Sequence, residues 1–526
     1  MPLSLPSRPR LDQLKKQAKD LLAAWQAGDA EAFSWLREHH PAHRGTTAAA
    51  GLQLADAQLV TARRYGFPSW PRLREEIELA NLAFAERARL FVRAATDEST
   101  GAVDAPFRQA QRLLARDPTL ARADVWSALV LGDVDTVARR IAAEPRWVGE
   151  KGGPQERQPL HYVTYSKFHR ESPEIAQGLL ATARLLLDHG ADPDASFVLE
   201  PWPQNPLRPL LGACGVANFP EMAELLLDRG ATIDDNESLY HATEHADTRC
   251  LALLLARGAN PRGTNALHHA FDRQGTPGLE RARLLLEHGA DPNEALNEND
   301  GPPLFVAIQR GRERALLELL VAHGADVHFR RRDGRSAYQV AMSHGHAEAV
   351  AYLEELGVAT DTTPFERFVG ACGRGDLAAA REIASATPRF FESLSHPEGQ
   401  AYLRLAQSGR AATLAVLLDA SFPVNASGPA GQTALHWAAW HGWRDTVQVL
   451  LARGAAVGAV EHEFGGTPLV WAIHGSDNYP NPDGDYPGVV RLLLAAGAEI
   501  KESMLESDGN PEIADLLRAA FQRERV

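Results

Sequence analysis

Three cysteines in 526 residues, Cys214, Cys250 and Cys372, are too few and too scattered for a disulfide framework. No CxxC pair and no HExxH helix offers ligands to a metal. At helix positions that call for small side chains, Cys214 and Cys372 read as core residues in a reducing compartment. No apolar run reaches bilayer-spanning length, and the N-terminus MPLSLPSRPR lacks the apolar centre of a signal peptide. The expectation is a protein without membrane segments in the cytoplasm, although an effector secreted without a cleavable signal would have the same sequence features. Positive charge is also short. Net charge is −14; residues 1–80 carry 11 Lys/Arg against 9 Asp/Glu, and the remainder 43 against 59. A nucleic-acid backbone needs a basic face, so nucleic acid is not the expected partner. Phosphate-cradling GxxxxGK[ST] and nucleophile-elbow GxSxG patterns are missing. The acidic runs Asp234-Asp235-Asn236-Glu237 and Asp483-Gly484-Asp485 suit turns rather than a magnesium site. No catalytic residue, cofactor or metal is expected.

What the chain has is repetition. Gly431 to Glu461 contains two short amphipathic helices and a glycine-terminated turn. Leu435, Ala438 and Ala439 share one helix face, and Val447, Val449, Leu450 and Leu451 the next. Neither helix is long enough to be stable alone, so the unit needs copies of itself on either side. Thr433-Ala434-Leu435-His436 and Leu450-Leu451-Ala452-Arg453-Gly454-Ala455 resemble the T-P-L-H and L-L-x-x-G-A segments of the ankyrin repeat. The resemblance implies an all-α fold, a solenoid of helix-turn-helix units with β-hairpin fingers.

The turn glycine recurs at Gly190, Gly230, Gly258, Gly289, Gly324, Gly357, Gly454 and Gly497, with steps of 40, 28, 31, 35, 33, 97 and 43. The step of 97 holds two weaker units, Phe365 to Thr387 and Ala401 to Ala420, with Ala420 expected in the place of the glycine. Glycine suits that place because the helix ends there in a left-handed conformation. Ala191-Asp192-Pro193-Asp194, Ala290-Asp291-Pro292-Asn293 and Ala325-Asp326-Val327-His328 resemble the opening of the finger, where Asp and Asn bond their own backbone.

Four segments follow: 1–80, an N-terminal helical domain; 84–146, divergent helical repeats; 157–500, the ankyrin array; 501–526, a C-terminal capping helix from Pro511 to Arg523 opened by Asn510. In the first, helices are expected at Leu11 to Trp25, Ala30 to Glu38, Gln53 to Tyr65 and Trp70 to Ala80, with Ser69 as N-cap. Leu54 to Gln58 and Tyr65 to Trp70 resemble a helical leader that precedes bacterial ankyrin arrays. In the second, Asp117-Pro118 and Glu144-Pro145 replace the glycine turn. Insertions fall between Tyr165 and Leu179, at Ser196 to Pro206 and at His474 to Pro487, and such loops tend to carry function.

The resemblance assigns His161, His268 and His436 a structural role between neighbouring repeats. The aromatic cluster carries more functional information. Trp437, Trp440, Trp443 and Trp471 fall within 35 residues, beside His441, His474, Asp477, Asn478 and Tyr479. Tryptophan and tyrosine supply much of the energy of protein interfaces. Trp437, Trp440, His441, Trp443, Trp471, His474, Asp477 and Tyr479, with Trp202 in the lengthened finger, are therefore the expected partner-binding residues. Trp437 and Trp471 have a second reading as packing between repeats, whereas Trp440 and Trp443 flank the interhelical turn. The leading function is a protein–protein interaction scaffold. The competing reading is an enzyme or small-ligand sensor with a His/Trp/Asp pocket in residues 436–479.

Overall fold

The structure, a computed structural model, describes residues 3–6, 9–40, 52–67, 69–100, 105–200, 202–271, 276–295, 301–386, 390–391, 396–478, 481, 483–501, 504 and 510–523. It is an all-α repeat fold. Two compact units divide the chain: residues 1–82 with 338–351 and 359–526, and residues 83–337 with 352–358. The boundary falls inside the stretch read as one array.

In the unit containing both termini, helices Leu11–Gln26, Ala30–His39, Leu54–Arg64 and Trp70–Asn81 lie within two residues of their expected bounds. Leu21, Trp25, Leu36 and Val60 form their core, and the Trp25 indole N–H donates to the Ala32 carbonyl at 2.8 Å. Ser69 accepts from the Arg72 N–H, capping the fourth helix as its sequence requires. The repeats from residue 365 onward share a separate core that runs through Phe368, Tyr402, Leu435, Leu450, Leu469, Leu493 and Leu517. Leu517 sits on helix Pro511–Arg523 and packs into this core.

The other unit opens with helices Phe84–Ala95 and Ala105–Arg116, then Val125–Leu131 and Val134–Ala143. The acid–proline pairs that replace glycine here each start a short 3-10 turn, Pro118–Arg122 and Pro145–Gly149. The insertion after Tyr165 does not project. Its 3-10 turn Lys167–Arg170 buries Phe168 against Phe91 and Phe107, and the rest lengthens helix Pro173–Asp188. The finger insertion forms an antiparallel hairpin, Phe197–Leu199 with Trp202–Leu207.

All eight turn glycines are left-handed, with φ between 71° and 94°. One register expectation is corrected. Ala420 is a right-handed helix end (φ −87°), and Ser421 takes the left-handed position at φ 73°. The residue after Ala420 corresponds to Gly454, so the weaker unit holds a strained serine where its siblings hold glycine. At the fingers, Asp192, Asp291 and Asp326 each accept from a backbone N–H two residues on, at 2.8–2.9 Å. Asn293 and Asn425 reach further, accepting the Asp326 and Ala456 N–H groups of the next finger at 2.7 and 2.8 Å.

Candidate functional site

Two consecutive repeats build the candidate surface. Helices Ala434–Trp440 and Arg444–Ala452 form the first, and Pro468–Asn478 and Tyr486–Ala495 the second. The first helix of the second repeat is a turn longer than its sibling because the residues from His474 to Asn478, expected in an inserted loop, continue it. Within this pair Leu435, Ala438, Ala472 and Leu469 are buried, leaving the tryptophans along the edge of the helices.

Trp471 is the hub of that edge. Its ring lies 5.0 Å from Trp437 at 88° and 5.5 Å from Trp440 at 68°, both edge-to-face arrangements. The Trp440 ring meets His474 at 5.2 Å, and His441 stacks on Trp437 at 6.4 Å. These side chains keep part of their surface in solvent, and His474 is exposed. Trp443 is held differently: its indole N–H donates to the Gln407 carbonyl of the preceding repeat at 2.8 Å, and its ring lies over Gly409. It therefore spends its polar edge on the fold. Tyr479 lies outside the described residues, as does the side chain of Trp202, whose backbone pairs with Leu199.

The surface is fixed in place by three devices. First, His436 links the repeats. Its Nδ1 accepts from the Thr433 N–H at 3.1 Å, which leaves Nε2 as the donor to the Gly466 carbonyl at 3.2 Å. Burial holds this histidine below the ordinary imidazole range, against the opposing pull of the Gly466 carbonyl. His161 makes the equivalent link to Ala195 at 3.1 Å, and burial lowers its pKa to about 4. Second, Glu461 organises the finger between the two repeats. Burial pushes its carboxyl upward, but the N–H groups of Glu463, Phe464 and Gly466 donate to it at 2.7–3.1 Å and bring it below the usual carboxylate value. Third, the inserted segment clamps the end of the first helix. Trp440, His441 and Gly442 carbonyls accept from the Tyr486 hydroxyl (3.1 Å), the Asn481 amide (2.8 Å) and the Asp485 N–H (2.9 Å). A helix end would otherwise leave these acceptors without partners. The approach is so close that a Cβ on Gly475 would stand 2.1 Å from the Trp440 carbonyl oxygen.

Among the three residues whose N–H groups Glu461 binds is one that sequence reasoning did not single out. Phe464 is 80% exposed at the finger tip, and Val460 beside it is 52% exposed. The signal was an aromatic residue set between Glu463 and Gly465-Gly466 in a finger that otherwise needs none. Beside His474, an open groove of about 340 Å3 is lined by Val470, Ile473, His474, Asp477, Lys501 and Met504, among others. The groove brings together His474 and Asp477 but not His441 or the tryptophans. Asp477 accepts from the Asn510 N–H at 3.1 Å.

The denser histidine group of the other unit is turned inward. His241 lies between Glu244 (3.0 Å) and Glu237 (3.1 Å), His269 meets the Thr243 hydroxyl (2.8 Å), and His245 meets the Gly215 carbonyl (2.7 Å). Burial alone would lower the His241 pKa, but its two carboxylate neighbours raise it to about 9. Among the described residues, no group of three or more histidine, cysteine or carboxylate side chains is placed to hold a metal, and no helix is long and apolar enough to cross a membrane.

Comparison with known proteins agrees with this architecture. A family model described as ankyrin repeats (3 copies) matches residues 276–363 and 394–504. The human ankyrin repeat and SOCS box protein 16 is 26% identical over 314 residues, covering 58% of this chain and 55% of that protein. The mouse B-cell lymphoma 3 protein homolog is 30% identical over 156 residues, 27% of this chain and 34% of its own length. The cyclin-dependent kinase inhibitor 2A of Monodelphis domestica is 32% identical over 124 residues, 23% of this chain and 70% of its own length. The chain thus spans about half the length of the human relative and about a third of the mouse one. With its repeat geometry and these matches, the chain belongs to the ankyrin-repeat family.

Proposed function

We propose that this protein is a protein-binding scaffold whose contact surface is the first-helix and finger edge of residues 430–485. The observation that carries this reading is the exposure of Phe464 on a finger that a buried carboxylate holds rigid, together with the partly exposed Trp437, Trp440 and Trp471 of the first helices. Exposed aromatic rings on a preorganised backbone are the form that binding hot spots take. The Phe464 ring, 80% exposed, contributes little to folding that a smaller residue would not, so a contact role accounts for it. His441, His474 and Asp477 supply polar contacts around the rings, and Trp202, on a finger of the other unit, is proposed as a separate contact. Trp443 supports it from beneath. The repeat family supports a protein–protein interaction role, with function in exposed side chains rather than in a catalytic constellation.

The test is affinity capture with mass spectrometry using the full chain and its Trp440→Ala/Phe464→Ala variant. Proteins held by the unmodified chain and lost by the variant, with circular dichroism and melting unchanged, support the surface. Identical capture by both overturns it. The reading as an enzyme or small-ligand sensor has one supporting observation, the groove beside His474. A thermal-shift screen of small metabolites distinguishes it: ligands that stabilise the chain but not His474→Ala favour the groove.

A further inference from the structure

Charge is distributed unevenly along these repeats. Residues 425–443 and 454–485, which form the fingers, first helices and inserted segment, contain no lysine or arginine. They contain five carboxylates, Glu461, Glu463, Asp477, Asp483 and Asp485. The arginines between 425 and 500 are Arg444, Arg453 and Arg491, in the stretches that form the second helices. Each pairs with a carboxylate: Arg444 with Asp485 at 3.5 Å, Arg453 with Asp419 at 2.9 Å, and Arg491 with Glu512. These arginines are thus each held by a carboxylate, and the finger and first-helix stretches themselves carry acid without a lysine or arginine. Glu461 is consumed by the finger, and Asp477 and Asp485 hold backbone N–H groups. Glu463 and Asp483 are exposed, and their backbone N–H groups donate to Glu461 and Asn481.

We infer that the partner of this edge is an extended, arginine-bearing basic segment of another protein, and this rests on the scaffold reading above. A guanidinium is planar and weakly hydrated, so it lies on an indole or phenyl face and bonds a carboxylate at the same time, which an ammonium does less well. The molecule already uses this pairing internally. The Arg64 guanidinium lies 3.5 Å over Trp35, and that of Arg157 lies 3.8 Å over Phe197. At the edge, Phe464 offers an exposed ring, with the partly exposed Trp440 and Trp471 as further aromatic surface, and Glu463 and Asp483 offer the carboxylates. An acidic or phosphorylated segment would meet like charge at Glu463 and Asp483. Association with a basic segment is also hastened by the negative field and weakened by salt.

The test uses exposed residues so that the fold is not at stake. A random-peptide display library is selected on the full chain, and the recovered peptides are titrated against the unmodified chain, Phe464→Ala and Glu463→Lys/Asp483→Lys. The expected peptides carry arginine and net positive charge. They lose about tenfold or more in affinity on either variant, and again when their arginines are replaced by citrulline. Peptides that are neutral or acidic but still depend on Phe464 would overturn this inference and leave the scaffold reading standing. Peptides indifferent to Phe464, or no recovered peptides, would overturn both.

Discussion

The same backbone position is used in opposite ways in the two units. At residues 237–269 the side chains on the first helices and the turns after them satisfy one another: Glu237 and Glu244 hold His241, and the Tyr240 ring lies 4.2 Å from His269. At residues 434–485 the ring edges interlock, but the finger aromatic and two carboxylates remain in water. Ankyrin stacking requires only the small and apolar residues beneath, so the outer side chains are free to vary. The difference shows that residue density alone does not mark a site. The histidine cluster is richer in chemistry-bearing groups, yet its polar atoms are spent within the unit.

That contrast can be broken most severely by backbone contact. Gly475→Val puts side-chain carbon where the Trp440 carbonyl already stands and should cost about 4 kcal/mol, read as a large fall in the denaturant midpoint. An unchanged midpoint would mean that the two first helices are not this closely apposed. Acid should weaken the other unit next. His161 and His169 have pKa values near 4, lowered chiefly by burial from an ordinary 6.5. Both are neutral in either state above pH 6.5, so their contribution is intact there. It is lost as pH falls from 6.5 toward 4, because the unfolded chain binds protons first, and by pH 5 the two together should cost about 3 kcal/mol. Thermal melts of the chain and of His161→Asn at pH 7 and pH 5 check this, the variant showing the smaller fall.

His241→Ala is a smaller perturbation. It leaves Glu237 and Glu244 facing each other and should cost about 2 kcal/mol at pH 7. The His241 pKa near 9 gives the opposite pH signature to His161: its stabilisation is complete below pH 6.5 and disappears as pH rises through 9. The variant should lose that alkaline slope. Smallest is Ser421→Gly, which relieves the left-handed serine and should stabilise the chain by about 1 kcal/mol in urea unfolding.

The repeat was legible because its turn needs a left-handed residue, and glycine records that need directly. Where glycine was missing, the reading slipped by one residue, to Ala420 instead of Ser421. Helix bounds in the N-terminal segment were legible from caps such as Ser69 and from apolar spacing. The tryptophan edge stood out because aromatic density is a property of the sequence itself. The clamp from Asn481 to His441 spans 40 residues, and Glu461 acts through three backbone donors. Neither is encoded in a local spacing, so the rigidity of the site and the prominence of Phe464 became visible only in three dimensions. The same is true of Trp443, whose position near the interhelical turn gave no sign of its bond to Gln407.

The central claim is that the 430–485 edge binds through its exposed rings. Its most direct test is the affinity of a selected peptide or captured partner for the full chain and for Phe464→Ala, measured by titration at matched thermal stability. The account predicts a loss of about tenfold or more with an unchanged melting curve. Equal affinity for both proteins would contradict it.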